Sequence, residues 1–297
     1  MGAAYAEHGP WLAADPLLHT AERPPDPAAW LFDLALHAVE RTGGFQALRA
    51  LHGAFVAAIL AAAWTLLRRM GASALWAAVG VELFAALSAY RLFQLRPHLF
   101  TMLATLLVLR WLVVDREPPG WRRVGAGCLL FAVWANVHGG FPVGLALVGA
   151  AAAGSLAEAL LRTDARDAAL ARARRLLAAL GLCALATLLN PSGAEQHALY
   201  FAAGADTPDL AWVSDEWARF APFTLPLANV PPTPFSWLAV WALGLLTAAV
   251  ALTTLRRRDV DGSRLAVTAA AFLGLLAAVR LLWLAVVPIG WRSEERR

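Results

Sequence analysis

Long apolar runs separated by short polar connections are the main feature of this chain. A helix needs about 20 apolar residues to cross a bilayer upright, and several of these runs are shorter but end in arginines that can reach the interface. The pattern predicts an all-α, polytopic transmembrane helix bundle of about eight spans. The predicted spans are residues 51–67, 75–92, 99–114, 124–137, 141–161, 176–189, 235–255 and 265–287.

Two longer polar segments divide the chain into four parts. Residues 1–52 form a first polar loop and residues 190–234 a second one, both with prolines and aromatic residues. Residues 53–189 carry six predicted spans, and residues 235–297 carry two spans and a polar tail. The sequence therefore predicts two sizeable loops on one side of the bundle and shorter connections elsewhere.

Within the first loop, residues 28–42 have a helical period with an apolar side and a polar side. Asp26–Pro27 is a good helix start and Gly43–Gly44 a good helix end. Such a stretch predicts an amphipathic helix that lies in the membrane interface. The apolar side, Trp30, Leu31 and Leu34, would face lipid or protein, and the polar side, Asp33 and His37, would face water or a site.

Composition agrees with this architecture. Of the 297 residues, 60% are hydrophobic and the mean hydropathy is +0.58, which is more apolar surface than one soluble domain can bury. All 25 basic residues are arginine, and because apolar spans interrupt them they form no single basic face for nucleic acid. The two cysteines, Cys128 and Cys183, both fall in predicted spans, so no disulfide or zinc framework is indicated.

The arginines also orient the bundle. If residues 1–52 lie outside the cell, the inner loops hold fifteen arginines and the outer segments nine. This bias fits the rule that arginine-rich short loops stay in the cytoplasm, so we expect a multi-pass protein of the inner, or plasma, membrane. All seven histidines, at positions 8, 19, 37, 52, 98, 138 and 197, fall on the outer side, and an active face is therefore expected to be extracytoplasmic.

One polar corner interrupts the apolar stretches in the middle of the chain. Residues 134–140 place an amide, Asn136, an imidazole, His138, and two glycines where a span should end. Polar groups there are costly unless they have partners. The corner is either a substrate-facing site at the outer surface or a capped turn between two helices with a satisfied histidine.

Other polar groups on the outer side suggest an anion clamp and a general base. Arginine and histidine can hold a phosphate, and a carboxylate can take a proton from a hydroxyl. The simpler interpretation is that the arginines anchor the interface and that Asp33 only solvates its helix. The candidate substrate-binding residues are Arg91, Arg96, His98, Asn136, His138, Glu216 and Trp217, and the candidate catalytic acids are Asp15, Glu22 and Asp33.

The sequence contains no close pair of metal ligands, because His98 and His138 each lack a second ligand nearby. An acidic loop over a phosphate could still hold a divalent metal through oxygen ligands, so the cofactor stays open. Glu82 is the one carboxylate deep in an apolar run and would work with Arg280 in a transporter or lipid-translocating protein. A non-catalytic membrane subunit whose outer motifs bind a partner is the third alternative.

These motifs, in this order, resemble polytopic bacterial membrane proteins of the GT-C glycosyltransferase superfamily. Residues 22–25 followed by Trp30 and Leu31 are similar to the first-loop segment of lipid-A aminoarabinose and protein mannosyl transferases. The later motifs lie at residues 96–98, 134–140, 190–193 and 216–217. The resemblance implies a transferase that takes a sugar from a polyprenyl-phosphate carrier in the membrane and works on the outer face. It also implies an acid of the first outer loop as base and, in some members, a divalent metal.

The family layout differs from this sequence in one respect. Family members have a span before the first outer loop, and their first catalytic acid lies close after that span. Here the sequence opens directly on the loop. We therefore expect a shortened gene product or a variant with impaired catalysis, in which Asp15, Glu22 and Asp33 are the acids near the site.

Overall fold

The computed structural model describes residues 1–18, 20–21, 24–202, 219–226, 233–256 and 261–290, and these residues form helices and no strand. The all-α prediction is confirmed for this part of the chain. A π-helical turn (Leu109–Val113) extends α4, and a 3₁₀ helix (Val279–Gly290) follows α10. The α-helices are α1 (Gly2–His8), α2 (Trp30–Arg69), α3 (Ala74–Leu92), α4 (His98–Val108), α5 (Trp121–Val137), α6 (Phe141–Leu161), α7 (Arg166–Ala186), α8 (Glu195–Ala202), α9 (Pro234–Arg256) and α10 (Gly262–Ala277).

Four helices within these ranges are long and apolar enough to cross a membrane, where the apolar pattern predicted eight. They are Trp30–Arg69, Ala74–Leu92, Phe141–Leu161 and Pro234–Thr253. The helices at the other four predicted positions are shorter or more polar. His98–Val113 and Gly262–Ala277 are short apolar helices, and α5 has 17 residues. The N-terminal part of α7 carries Arg166, Arg172, Arg174 and Arg175.

Two irregular stretches explain why the shorter helices end early. In the π-helical turn, the Val114 N–H donates to the Leu109 carbonyl oxygen at 2.9 Å, and the Arg172 guanidinium donates to the Val113 carbonyl oxygen at 2.7 Å. Further along, Ala278 is extended (φ −152°, ψ 125°) and separates α10 from the 3₁₀ helix. Hydropathy does not reveal either break, because both lie within runs that are mostly apolar.

The long helix α2 bends where the sequence predicted a helix end. Gly44 has a positive φ of 59° inside the 40-residue element, and the chain continues as a helix to Arg69. The first part of α2 buries Phe32 and packs against α1, where Gly2 lies against Asp33 and His37. The separate helix predicted over residues 28–42 is therefore joined to the first span, and its place in the membrane interface stays a prediction.

Aromatic side chains fill the centre of the bundle. The rings of Phe131 and Trp134 stack with their centroids 5.4 Å apart, and Phe84 meets Trp283 edge to face at 5.9 Å. All four side chains are at most 2% exposed. The first contact lies within α5, the second joins α3 to the 3₁₀ helix, and all four side chains belong to one core.

At one end of the bundle, two aspartates gather arginines from several helices. Asp115, just after the π-helical turn, accepts hydrogen bonds from Arg69, at 2.7 Å, and from Arg123. These guanidinium groups, Arg69 foremost, lower the pKa of Asp115. Asp261, just before α10, pairs with three guanidinium groups: Arg172 at 3.3 Å, Arg264 at 3.0 Å and Arg116 at 3.6 Å. This is the end that the arginine bias predicts to face the cytoplasm.

The crossing of α6 and α10 provides a test of the packing. Gly154 and Gly262 approach backbone to backbone, and a Cβ on Gly154 would overlap the Gly262 carbonyl. We expect Gly154→Ala to destabilise the protein by about 1–3 kcal/mol, as overpacking commonly does, and to lower its unfolding temperature in detergent. Gly149→Ala is the control on the same helix, because its Cβ would meet only the Leu180 side chain at 3.6 Å. Equal unfolding temperatures for Gly154→Ala and the wild type would argue against so close a crossing.

Candidate functional site

A polar cavity of about 200 Å³ lies at the end of the bundle opposite the aspartate clusters. Helix α3 starts at Ala74, shortly after Arg69, and ends beside the cavity, and its 19 residues separate the two ends by about 28 Å. Four structural elements and the turn before α6 contribute to the walls. The lining residues are Arg91, Arg96, Pro97, His98, Thr101, Met102, His138, Gly140, Val143, Arg280, Leu281 and Trp283.

The connection between α3 and α4 brings the first three charged or polar groups together. Only residues 93–97 separate the two helices, so Arg91, Arg96 and His98 stay close. His98 Nε2 lies 3.0 Å from the Arg91 carbonyl oxygen. A carbonyl can only accept, so this ring nitrogen carries the proton and donates to the last turn of α3. The same contact fixes His98 beside the buried Arg91 side chain.

His138 enters from the corner between α5 and α6. The helix ends at Val137, and His138 itself is extended (φ −163°, ψ 137°), with its N–H donating to the Trp134 carbonyl oxygen at 2.9 Å. Its ring nitrogen Nδ1 lies 2.7 Å from Thr101 Oγ1 and accepts the Gly140 N–H at 3.1 Å. Burial lowers the pKa of His138 to about 3, and the positive charges of Arg280, His98 and Arg91 act in the same direction. The imidazole is therefore uncharged at neutral pH.

The third arginine of the cavity comes from the 3₁₀ helix. Because this helix has three residues per turn, Arg280 and Trp283 lie on the same side, and both line the cavity. An arginine inside an apolar run was a signal for a functional position. The sequence paired it with Glu82, but Glu82 lines a separate groove between α2 and α3, together with Arg49 and His52. The transporter alternative thus has no cavity that Glu82 and Arg280 share.

The cavity is suited to an anion. It gathers three guanidinium groups, from Arg91, Arg96 and Arg280, and two imidazoles, from His98 and His138. Guanidinium groups bind phosphate and carboxylate through paired N–H donors, and several of them in one concave site raise the local concentration of anions. Four of the seven proposed substrate-binding residues, Arg91, Arg96, His98 and His138, meet here.

Asn136 has a different environment from the other predicted residues of the corner. Its Oδ1 accepts the Trp30 Nε1–H at 2.8 Å, and its Nδ2 donates to the Leu189 carbonyl oxygen at 2.6 Å and to the Ala132 carbonyl oxygen at 2.8 Å. It does not line the cavity. The amide instead ties the start of α2 and the end of α7 to α5.

The candidate acids do not line the cavity within the part of the chain that the structure describes. Asp15 sits in a turn, where its Oδ1 accepts the N–H groups of Leu17 and Leu18 at 2.8 and 2.9 Å. Asp33 lies in the first turn of α2, next to α1. Glu22, Glu216 and Trp217 lie outside the described residues. No group of three or more His, Cys, Asp or Glu in the described ranges is arranged to hold a metal ion.

Thr101 is the functional position that sequence reasoning missed. A threonine inside an apolar helix has no pattern that distinguishes it from a packing residue, and its importance comes from contacts with residues more than thirty positions away. Met102, Val143 and Trp283 were missed for the same reason. Arg280 had a usable signal, its charge in an apolar run.

Comparison with known proteins adds no family assignment: no protein-family model, characterised protein or solved structure shows significant similarity to the chain.

The bracing role of Asn136 can be tested by mutation. We expect Asn136→Ala to remove the hydrogen bonds to the Trp30 indole and the Leu189 carbonyl and to loosen the N-terminal segment, because each such bond contributes about 0.5–1.5 kcal/mol. Limited proteolysis should then cleave within residues 1–29 faster than in the wild type. Asn190→Ala is the control, since the Asn190 side chain bonds only within its own turn among the described residues. An unchanged cleavage rate in Asn136→Ala would contradict the bracing role.

Proposed function

We propose that this protein binds the phosphate of a lipid-linked sugar in the arginine cavity and acts as a membrane glycosyltransferase of the GT-C type. The observation that carries the proposal is the convergence of Arg91, Arg96 and Arg280 with His98 and His138 on one cavity of about 200 Å³. Three guanidinium groups from two separate parts of the chain are held together there. A phosphate or diphosphate is the biological anion that best matches such a set of donors.

A lipid-borne phosphate fits the location of the cavity. The cavity lies at the end of Ala74–Leu92 and the beginning of Phe141–Leu161, two helices that can cross a membrane. A phosphate at that level belongs to the headgroup region, where a polyprenyl-phosphate carrier presents its sugar. The arginine bias of the loops puts this end on the extracytoplasmic face of the inner membrane.

The role of the arginines in the proposed reaction is electrostatic. When the sugar leaves the carrier, negative charge grows on the phosphate, and fixed guanidinium groups stabilise that charge without reorganising. His138, uncharged and half-buried, adds a hydrogen-bond donor to the same site. The acceptor hydroxyl requires a base, and the outer-loop acids Asp15, Glu22 and Asp33 are proposed for it. If a divalent metal takes part, carboxylate oxygens of such an acid would hold it, and it would supply positive charge beside the phosphate.

Phosphate recognition can be tested on the purified protein with a polyprenyl phosphate in detergent. We expect Arg96→Gln to weaken binding by about 10- to 100-fold, because a hydrogen bond to a charged group contributes about 1.5–3 kcal/mol. Arg96 is exposed, so its replacement should leave the fold intact. The matched control is Arg174→Gln, an exposed arginine of α7 near the opposite end. Quenching of tryptophan fluorescence gives the affinity.

Two results would contradict this proposal. Equal affinities for the polyprenyl phosphate and for the uncharged polyprenol would exclude phosphate recognition. Equal losses in Arg96→Gln and Arg174→Gln would indicate general attraction to a basic surface. Transfer itself is checked with a radiolabelled polyprenyl-phosphate sugar, whose label should move to an acceptor in the wild type and more slowly in Arg96→Gln.

A further inference from the structure

A buried chain of hydrogen bonds controls the state of His138. The Trp134 Nε1–H donates to Thr101 Oγ1 at 2.8 Å, and Thr101 Oγ1 lies 2.7 Å from His138 Nδ1. An indole N–H can only donate, so the threonine oxygen accepts from Trp134 and its own O–H is free to donate onward to the imidazole. Trp134 is fully buried and Thr101 is 6% exposed, so water does not compete for the hydrogen bond between these two side chains.

The backbone of Gly140 decides which nitrogen of His138 carries the proton. The Gly140 N–H points at the same Nδ1 atom at 3.1 Å, and an amide N–H cannot accept a hydrogen bond. A proton on Nδ1 would therefore face the amide proton. Nδ1 must hold its lone pair toward Thr101 and Gly140, and the proton of the neutral ring must be on Nε2.

Only glycine fits at position 140. A Cβ there would lie 2.6 Å from Thr101 Oγ1 and 2.7 Å from His138 Nδ1, closer than real Cβ atoms come to any neighbour. A Cβ on the preceding residue, Gly139, would have nothing within 4 Å. The two adjacent glycines thus differ in their role: Gly140 packs against Thr101 and His138, and Gly139 has open space around its Cα.

We propose that Thr101 is a positioning residue that holds His138 as a neutral Nε2–H donor, so that the cavity recognises its anion through a hydrogen bond from this ring and not through a histidine charge. The inference deepens the proposed function, because it assumes that the cavity binds an anion, but the state of the ring does not depend on a ligand. The charged and titratable groups that face His138 are Arg91 from α3, His98 from α4 and Arg280 from the 3₁₀ helix. Each of these groups is positively charged or can become so, and they would repel a positive charge on the His138 ring.

The state of the ring can be measured directly by nitrogen NMR on the full-length protein, labelled with ¹⁵N-histidine and placed in lipid nanodiscs. The His138 signals are assigned by their loss in His138→Gln. We expect an unprotonated Nδ1 and a protonated Nε2, unchanged between pH 8 and pH 5. A protonated Nδ1 at pH 8, or a ring that titrates in this range, would overturn the proposal without any variant being needed.

Variants then test the role of Thr101. Thr101→Val removes the hydroxyl at nearly constant shape, and we expect the His138 ring to become a mixture of tautomers or to titrate between pH 5 and pH 8. Thr101→Ser should restore the wild-type signals, because it keeps the hydroxyl. Gly140→Ala should disturb them, whereas Gly139→Ala should not. Wild-type signals in Thr101→Val would show that Gly140 alone fixes the ring and would refute a positioning role for Thr101.

Sulfate provides the ligand test, because it keeps two negative charges throughout this pH range. The measurement is made in His98→Gln, which removes the second titratable ring and keeps a donor for the Arg91 carbonyl. We expect sulfate affinity to change less than about threefold between pH 8 and pH 5, whereas a His138 that gains a proton would strengthen binding about tenfold or more. A rise of that size would overturn the proposal. If sulfate does not bind while NMR finds the neutral ring, the anion site of the proposed function fails and the tautomer assignment stands.

Discussion

Polar side chains buried between apolar helices are tolerated only where each finds a partner, and the hydrogen-bonded chain from Trp134 through Thr101 to His138 satisfies that requirement here. It joins α4, α5 and the turn that begins α6. Two walls of the cavity, one from Thr101 and Met102 and the other from His138 and Gly140, are fixed relative to one another by this chain. Without it, an indole N–H and an imidazole would be left in a low-dielectric interior, and the corner would have to open toward water.

The arginines serve different purposes at the two ends of the bundle. At one end, Asp115 and Asp261 draw guanidinium groups from several helices into ion pairs, and Arg172 also supports the irregular backbone after α4. At the other end, Arg91, Arg96 and Arg280 meet around a cavity. In the proposed function, these guanidinium groups would attract a phosphate to the cavity. The first end holds helices together and the second is suited to a ligand.

Interruptions of helical geometry are what make such a cavity possible in an apolar bundle. After the extended Ala278, the 3₁₀ helix places Arg280 and Trp283 in the cavity lining beside residues of α4 and α6. Irregular backbone at this depth is tolerated where it is buried in protein or lines a polar cavity. The short 93–97 connection plays the corresponding part on the other wall, since it brings Arg91 and Arg96 to one level.

The sequence by itself determined the helical class, the membrane character and the residue types at the outer end, because apolar periodicity and charge placement are local properties of the chain. It also indicated Arg91, Arg96, His98 and His138, because charged and imidazole groups at the ends of apolar runs are conspicuous. Only the tertiary structure decided that these four meet while Asn136 braces Trp30 and Leu189, that Arg280 joins the cavity and Glu82 does not, and that Thr101 contacts His138. Among the described residues, four helices are long and apolar enough to cross a membrane where the apolar pattern predicted eight, and α2 bends at Gly44 where the sequence predicted a helix end. The reason is physical. Hydropathy measures how apolar a segment is, but the contacts between segments depend on where helices break and how they cross. Neither property can be read from a run of apolar residues of similar size.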